Sequence, residues 1–220
     1  MKRHFIAVAV ATMLPLVASA HESFFEVEIG LGAAHTKDIG DGTWTQYHEP
    51  INHEGLNSPA YLFGLTGQVV ARHKWDLRYH LDYVYIGGIS ASCRCVSDAD
   101  YGAHNYSGQT SKFNGFGHTQ GVSLTLEPGY TFSNGIRLAV EAGPWVFWNT
   151  WHETADIPGG LQHVRHEPKA QFSWVAGTSV SYKNWRLAYR YYKQPQTWNP
   201  YPALQGGAHM LFITHQGNVF

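Results

Sequence analysis

After its first twenty residues the chain has no apolar run long enough to cross a membrane as a helix, and its mean hydropathy is only −0.28. A helical span needs ~20 consecutive apolar residues. Any insertion of the remainder into lipid must therefore be as a closed barrel, the other architecture that satisfies its own backbone. Charge is scarce as well, at 14% of residues against ~25% in an average soluble domain. The net charge of −1 gives no electrostatic case for nucleic acid or an anionic surface. Cysteine is nearly absent. Cys93 and Cys95 flank Arg94, and a bridge across one residue closes a tight ring, although an exported protein meets an oxidising compartment. Intramolecular bond, intermolecular bond and free thiols all stay open. A zinc site lacks a second Cys-x-Cys or Cys-x-x-Cys element.

What the chain does have is aromatic residues, 15% of the total, and a period of two. From Trp75 to Ile86, Trp75, Leu77, Tyr79, Leu81, Tyr83 and Tyr85 alternate with Asp76, Arg78, His80, Asp82, Val84 and Ile86. Alternation of this kind marks a strand with two different environments. A soluble strand would turn the aromatic face to a dry core, whereas a membrane barrel turns it to lipid and its charges to the lumen. Periodicity in one strand does not choose between these.

The N-terminus narrows the choice. Lys2, Arg3 and His4 precede an apolar stretch from Phe5 to Val17, and Ala18-Ser19-Ala20 is a small-x-small cleavage pattern. Residues 1–20 read as a secretory signal peptide, leaving 21–220 as one outer-membrane β-barrel domain.

The parity test predicts eight strands: Phe24–Ala34, Ala60–Ala71, Trp75–Ile86, Gln120–Phe132, Ile136 to about Thr150, Gln171–Tyr182, Trp185–Tyr192, and Ala208 to about His215 or the terminus. In the second, Tyr61, Phe63, Leu65 and Val69 share the apolar face. In the last, Thr214, Gln216 and Asn218 share a face with Phe220 where apolar residues are expected, so either the strand ends near His215 or a bulge shifts its register. Tight turns near Arg72–Lys74, at Ser133-Asn134-Gly135 and at Lys183-Asn184 alternate strictly with long segments: His35–Pro59, Gly88–Thr119, Trp151–Ala170 and Lys193–Gly207. A bacterial outer-membrane barrel has short periplasmic turns and long external loops. Trp75, Phe132, Tyr182 and Trp185 then gather at the short-turn rim and Tyr83, Tyr85, Trp148 and Trp151 at the long-loop rim, as two aromatic girdles. A secreted lipocalin-like barrel fits less well, because the polar face is rich in Gly and Ser, which suits a crowded lumen.

Eight strands leave a lumen that side chains fill. Its expected occupants are Glu26, Glu28, Asp76, Arg78, His80, Asp82, Glu127, Arg137, Glu141, Arg186 and Arg190, a near balance of signs. The three-residue turn at Ser133–Gly135 brings Glu127 opposite Glu141, a repulsive pair unless an arginine intervenes or one is protonated. The arginine is expected to be Arg78, Arg137, Arg186 or Arg190. The cluster reads as a structural plug of ion pairs rather than a proton or ion path.

The run Ile136-Arg137-Leu138-Ala139-Val140-Glu141-Ala142-Gly143 and the two strands after it resemble hairpins of the barrel lipid A 3-O-deacylase family. The resemblance would imply a His-x-Ser pair on the seventh strand, but the matching place reads Tyr191-Tyr192-Lys193-Gln194. No acidic residue follows Pro168 to orient a base. Lipid A palmitoyltransferases place an amphipathic helix before their first strand, for which this chain leaves little room. The closer resemblance is to small barrels of the OmpA-transmembrane or OmpX type, which implies a Gram-negative, cell-surface location.

Histidine is abundant, with 14 residues. His35, His48, His53, His104, His118, His152, His163 and His166 fall in the long segments. His163-x-x-His166 could share a metal on a turn, but exposed polar loops account for the enrichment, and no metal or other cofactor is expected. Trp44, Tyr47, Tyr101, Tyr106, Phe113, Phe116, Trp198 and Tyr201 accompany them, the composition of a binding surface on a rigid scaffold. The expectation is a monomeric all-β, eight-stranded antiparallel up-and-down transmembrane barrel of porin-like fold with four long external loops. It is non-enzymatic, and its expected partners are outer-membrane lipids and lipopolysaccharide, the barrel assembly machinery and an unknown external ligand, with no nucleic acid. The alternatives are a lipid A-modifying enzyme and a metal-binding surface protein.

Overall fold

A computed structural model describes residues 25–39, 44–46, 52–54, 57–97, 111–157, 160–166, 169–194 and 204–218. These form eleven strands: β1 (Glu26–Ile39), β2 (Trp44–Gln46), β3 (Asn52–Glu54), β4 (Asn57–Arg72), β5 (Trp75–Ser97), β6 (Ser111–Thr131), β7 (Ile136–Ile157), β8 (Gly160–His166), β9 (Gln171–Tyr182), β10 (Trp185–Tyr192) and β11 (Leu204–Asn218). Eight of them close a ring in the order β1, β4, β5, β6, β7, β9, β10, β11, with β11 returning antiparallel onto β1. Closure leaves no open edge within the ring. The remaining three, β2, β3 and β8, pair onto the distal parts of β5 and β7.

Turn chemistry fixes the hairpins. His73 and Lys183 take left-handed backbone, with φ of 57° and 55°, in two-residue turns that close Arg72 on Trp75 and Tyr182 on Trp185. Such short turns need positive φ to follow the strand twist. At the β6–β7 turn Gly135 takes φ 82°, and Asn134 Oδ1 accepts from Ile136 N at 3.1 Å.

The outer wall is apolar. Ile29, Leu31, Phe63, Leu124, Leu126, Val140, Phe172, Leu187 and Ile213 all face outward and exposed, and Trp75, Phe132, Tyr182 and Trp185 ring the short-turn end. Tyr83 faces outward at the opposite end, where Tyr85 meets Tyr61 and His118 in tilted ring contacts.

The structure corrects several sequence expectations. The long segments Gly88–Thr119 and Trp151–Ala170 are largely strand. The β5–β6 ladder runs on to Cys95↔Ser111, and β7 and β8 form a hairpin closed at Ile157↔Gly160. Their Gly, Ser and His content resembles a loop, yet alternate residues (Ala91, Cys93, Phe113, Trp151, Ala155) are buried, and the first four are continuous with the apolar core of the barrel. Trp151 is consequently no girdle residue. It is buried, and its indole Nε1 donates to Glu153 Oε1 at 2.9 Å.

A bulge between Gln68 and Val70 puts Val70, not Val69, on the outer wall, because one extra residue reverses side-chain parity. β11 neither stops at His215 nor bulges there. It pairs continuously with β1 from Ala208 to Asn218, with Thr214 and Gln216 buried in the lumen. Its register shift lies at the other end, between Thr36 and Asp38. Phe220 and residues 1–20 lie outside the described residues.

Candidate functional site: the barrel interior

The lumen is filled by two stacked layers of opposite character. The layer nearer the short turns is ionic. Arg137 donates through Nε to both carboxylate oxygens of Asp76 at 2.9 Å and through Nη1 to Glu127. Arg186 reaches three carboxylates: Glu28 Oε1 at 3.1 Å, Glu127 Oε2 at 2.5 Å and Glu141 Oε1 at 2.7 Å. Arg190 bridges Glu141 Oε1 at 2.8 Å and Asp82 Oδ2 at 2.7 Å. His80 stands between Glu28 Oε2, 2.7 Å from Nδ1, and Glu127 Oε2, 3.5 Å from Nε2. Ser179 and Thr125 hydroxyls donate to Glu127 and Glu141 at 2.9 and 3.0 Å. Arg78 donates to Gln216 Oε1 at 3.2 Å. Glu26 is half-buried at the rim of β1.

Strand parity explains the convergence. These groups occupy inward positions on β1, β5, β6, β7, β9, β10 and β11, and closing the ring turns them toward one another across the lumen. Arginine suits the centre because its planar fork gives several hydrogen bonds in fixed directions. Burying charges this thoroughly is tolerable only where they are paired and hydrogen-bonded.

The second layer, toward the long hairpins, is apolar, and alternation in the sequence did not single it out. Trp145 stacks on Phe147 at 4.4 Å and meets Tyr192 edge-on at 4.8 Å. Leu62, Val84, Ile86, Val175, Met210 and Phe212 are part of it, all buried. The Trp145 indole donates to Lys193 O at 3.0 Å, and Tyr192 OH takes a 3.2 Å bond from Arg190 Nη1, joining the two layers. Reading β7 for its outward residues hid Trp145 and Phe147, whose inward parity with Arg137 and Glu141 was the available signal.

Two groups could offer ligands to a metal: His80 with Glu28 and Asp82, and His80 with Glu127 and Glu141, each with ligand atoms within 4.8 Å of one another. Arg186 and Arg190 already hold these carboxylates, so a cation would have to displace a guanidinium. His163 and His166 lie on strand β8 rather than on a turn. Cys93 is disulfide-bonded, and the chain has one other cysteine, Cys95. Phe113, expected in an exposed loop, is buried beside Cys93, whereas Phe116 is exposed. His48, His104, Tyr47, Tyr101, Tyr106, Trp198 and Tyr201 lie outside the described residues.

At the place matched to the deacylase pair, Tyr192 ends β10 inside this plug and Gln194, just beyond the strand, is buried.

An antiparallel ring that is greasy outside and charged inside inverts the soluble arrangement and is the architecture of a membrane-spanning β-barrel. Eight strands put it at the small end of such barrels. No protein-family model matches the chain, and no curated protein matches it by sequence. Among solved structures, it is similar to Ail, the attachment invasion locus protein of Yersinia pestis. In complex with the heparin analogue sucrose octasulfate, Ail gives 12% identity and a TM-score of 0.36, with 88% of this chain and 99% of that one covered. In a phospholipid bilayer nanodisc, it gives 13% identity and a TM-score of 0.35, with 89% and 100% covered. An outer membrane channel from Pseudomonas putida F1 aligns at 6% identity and a TM-score of 0.26, over 92% and 99%.

Proposed function

We propose that the protein acts at the cell surface, as a plugged outer-membrane barrel that holds a stiff external sheet toward its partners. The mature chain runs from His21 after removal of residues 1–20, is delivered by the barrel assembly machinery, and sits as a monomer among outer-membrane lipids and lipopolysaccharide.

The observation that carries this reading is the continuation of paired strand beyond the aromatic rim. At ~3.3 Å per residue, Tyr85 to Cys95 is roughly 30 Å of strand, laddered throughout its distal part to β6, which continues into β7 and β8. Its exposed face carries Lys112, Asn114, Phe116, His152, Leu161, His163 and Arg165. Among the described residues β8 pairs with β7 alone, so its second edge can accept an extended peptide. The filled lumen supports a scaffold role over conduction.

Two measurements test the proposal. Lipid A from expressing cells keeps its mass if the barrel is non-enzymatic. Loss or gain of an acyl chain would overturn that in favour of a lipid A-modifying enzyme. Replacing 98–110 and 158–159 by short Gly-Ser turns, together with Phe116→Ser and Leu161→Ser, abolishes adhesion of expressing cells to a host-cell layer while leaving outer-membrane fractionation unchanged. Adhesion untouched by these changes would sink the external-sheet reading.

A further inference from the structure

The lipid-facing wall has a dent of about 420 Å³ where β1, β4, β10 and β11 meet. The ladders build it row by row. The row Tyr61, Leu31, Ile213, Leu187 is tall and apolar. The next row toward the long hairpins is Pro59, Ala33, Leu211, Tyr189, and its first two side chains are small, so the wall recedes. The third row, Asn57, His35, His209, Tyr191, is polar. The dent thus has an apolar floor and a hydrogen-bonding upper rim.

That rim is organised. His35 Nδ1 lies 2.7 Å from Asn57 Oδ1, and the Tyr189 hydroxyl lies 2.6 Å from His209 Nδ1. The His209 ring also packs 4.8 Å from Tyr191, which meets Trp174 at 5.7 Å. Amphipathic rings at one height are the signature of a membrane–water interface. With the phenol donating to Nδ1, the His209 Nε2 carries a proton and is a donor. With Asn57 Oδ1 accepting from His35, the Asn57 amide NH₂ is a donor too. Among the described residues lining the dent there is no carboxylate. The volume falls within the ~300–1,000 Å³ of small-molecule sites.

We infer that this dent binds one outer-leaflet lipid with a phosphate headgroup. Its acyl chain lies over Ala33, Pro59 and Leu211, and its phosphate oxygens accept from His209 Nε2 and the Asn57 amide. The inference rests on the membrane-barrel reading. It commits to a lipid because the dent opens on the lipid side, at the level where apolar wall gives way to polar rim.

The test uses the purified full chain in nonionic detergent, mixed with phosphatidic acid or with diacylglycerol of the same acyl chains, and read by native mass spectrometry. The wild type retains one phosphatidic acid at least about tenfold better than diacylglycerol, the worth of a single hydrogen bond to a charged group at the low end of its range. Ala33→Trp fills the dent and loses both lipids. His209→Phe keeps the chain contact and narrows the preference for phosphatidic acid to what the Asn57 amide alone supplies. Val122→Trp, on the opposite wall, keeps the wild-type preference. Equal retention of both lipids by the wild type, retention unchanged in Ala33→Trp, or a dimer mass in place of the lipid adduct overturns the inference. Heat-modifiable gel migration reports folding of every variant, and His209→Phe carries the test if Ala33→Trp does not shift. A wild type that never shifts overturns the barrel reading instead, so the two failures are distinguishable.

Discussion

Glu127 on β6 and Glu141 on β7 face each other across one ladder, in the register set by Leu126↔Ala142, and Arg186 Nη2 contacts both, at 2.5 and 2.7 Å. Two like charges directly opposite would repel. Here a guanidinium from β10 lies between them and reaches Glu28 on β1 as well.

Arg186→Ala leaves three buried carboxylates short of a partner. Breaking a buried ion pair by removing one member costs roughly 3–5 kcal/mol, so the variant should unfold from lipid vesicles at markedly lower urea than the wild type. Adding Glu127→Gln and Glu141→Gln to that variant should recover a large part of the loss. Equal midpoints for wild type and Arg186→Ala would show that the network contributes nothing to stability.

Trp145→Ala should cost about 3–5 kcal/mol, the usual figure for removing a buried large aromatic. Trp145 is 1% exposed and packs against both Phe147 and Tyr192. In planar bilayers neither wild type nor Trp145→Ala should give conductance steps, since the ionic layer below remains intact. Steps from the single variant would mean that the aromatic layer alone is the seal.

Gly143→Ala is the backbone test. A Cβ at this position would come within 1.9 Å of the Leu124 carbonyl oxygen, a backbone atom that yields only if β6 and β7 separate. Overpacking of this kind costs roughly 1–3 kcal/mol or more. The expected result is a clear fall in the fraction showing heat-modifiable migration, whereas Gly160→Ala, with nothing within 4 Å of its Cβ site, should lose only what its φ of 120° imposes.

Topology is checked by labelling. Leu161→Cys should react with a membrane-impermeant maleimide on intact cells, and Lys183→Cys only after the outer membrane is opened. The reverse pattern would invert the barrel and put the extended sheet in the periplasm.

The period-two rule made much of the fold legible. In Trp75–Ile86 each side chain alternates between lipid and lumen, so parity alone assigned Asp76, Arg78, His80 and Asp82 to one side. It failed where parity stays constant but character changes. On β7, Arg137, Glu141, Trp145 and Phe147 all point inward, yet the first two are ionic and the last two apolar, so a rule that equates inward with polar overlooked the aromatic layer. It also failed at Val69 and Val70, where one added residue reverses the faces, and at Gly88–Thr119, where glycine and serine mimic a loop although Phe113 and Ala91 bury a core.

The sequence by itself determined the eight strands of the ring, the faces of most of them, the three tight turns and the candidate charges, because these depend on neighbours one or two residues apart. Only the tertiary structure decided which arginine separates Glu127 from Glu141, that Trp151 leaves the girdle for the interior, and that His35 and His209 stand side by side on the outer wall. Those outcomes depend on ring closure, which sets the height of one strand against another and joins residues far apart in the chain.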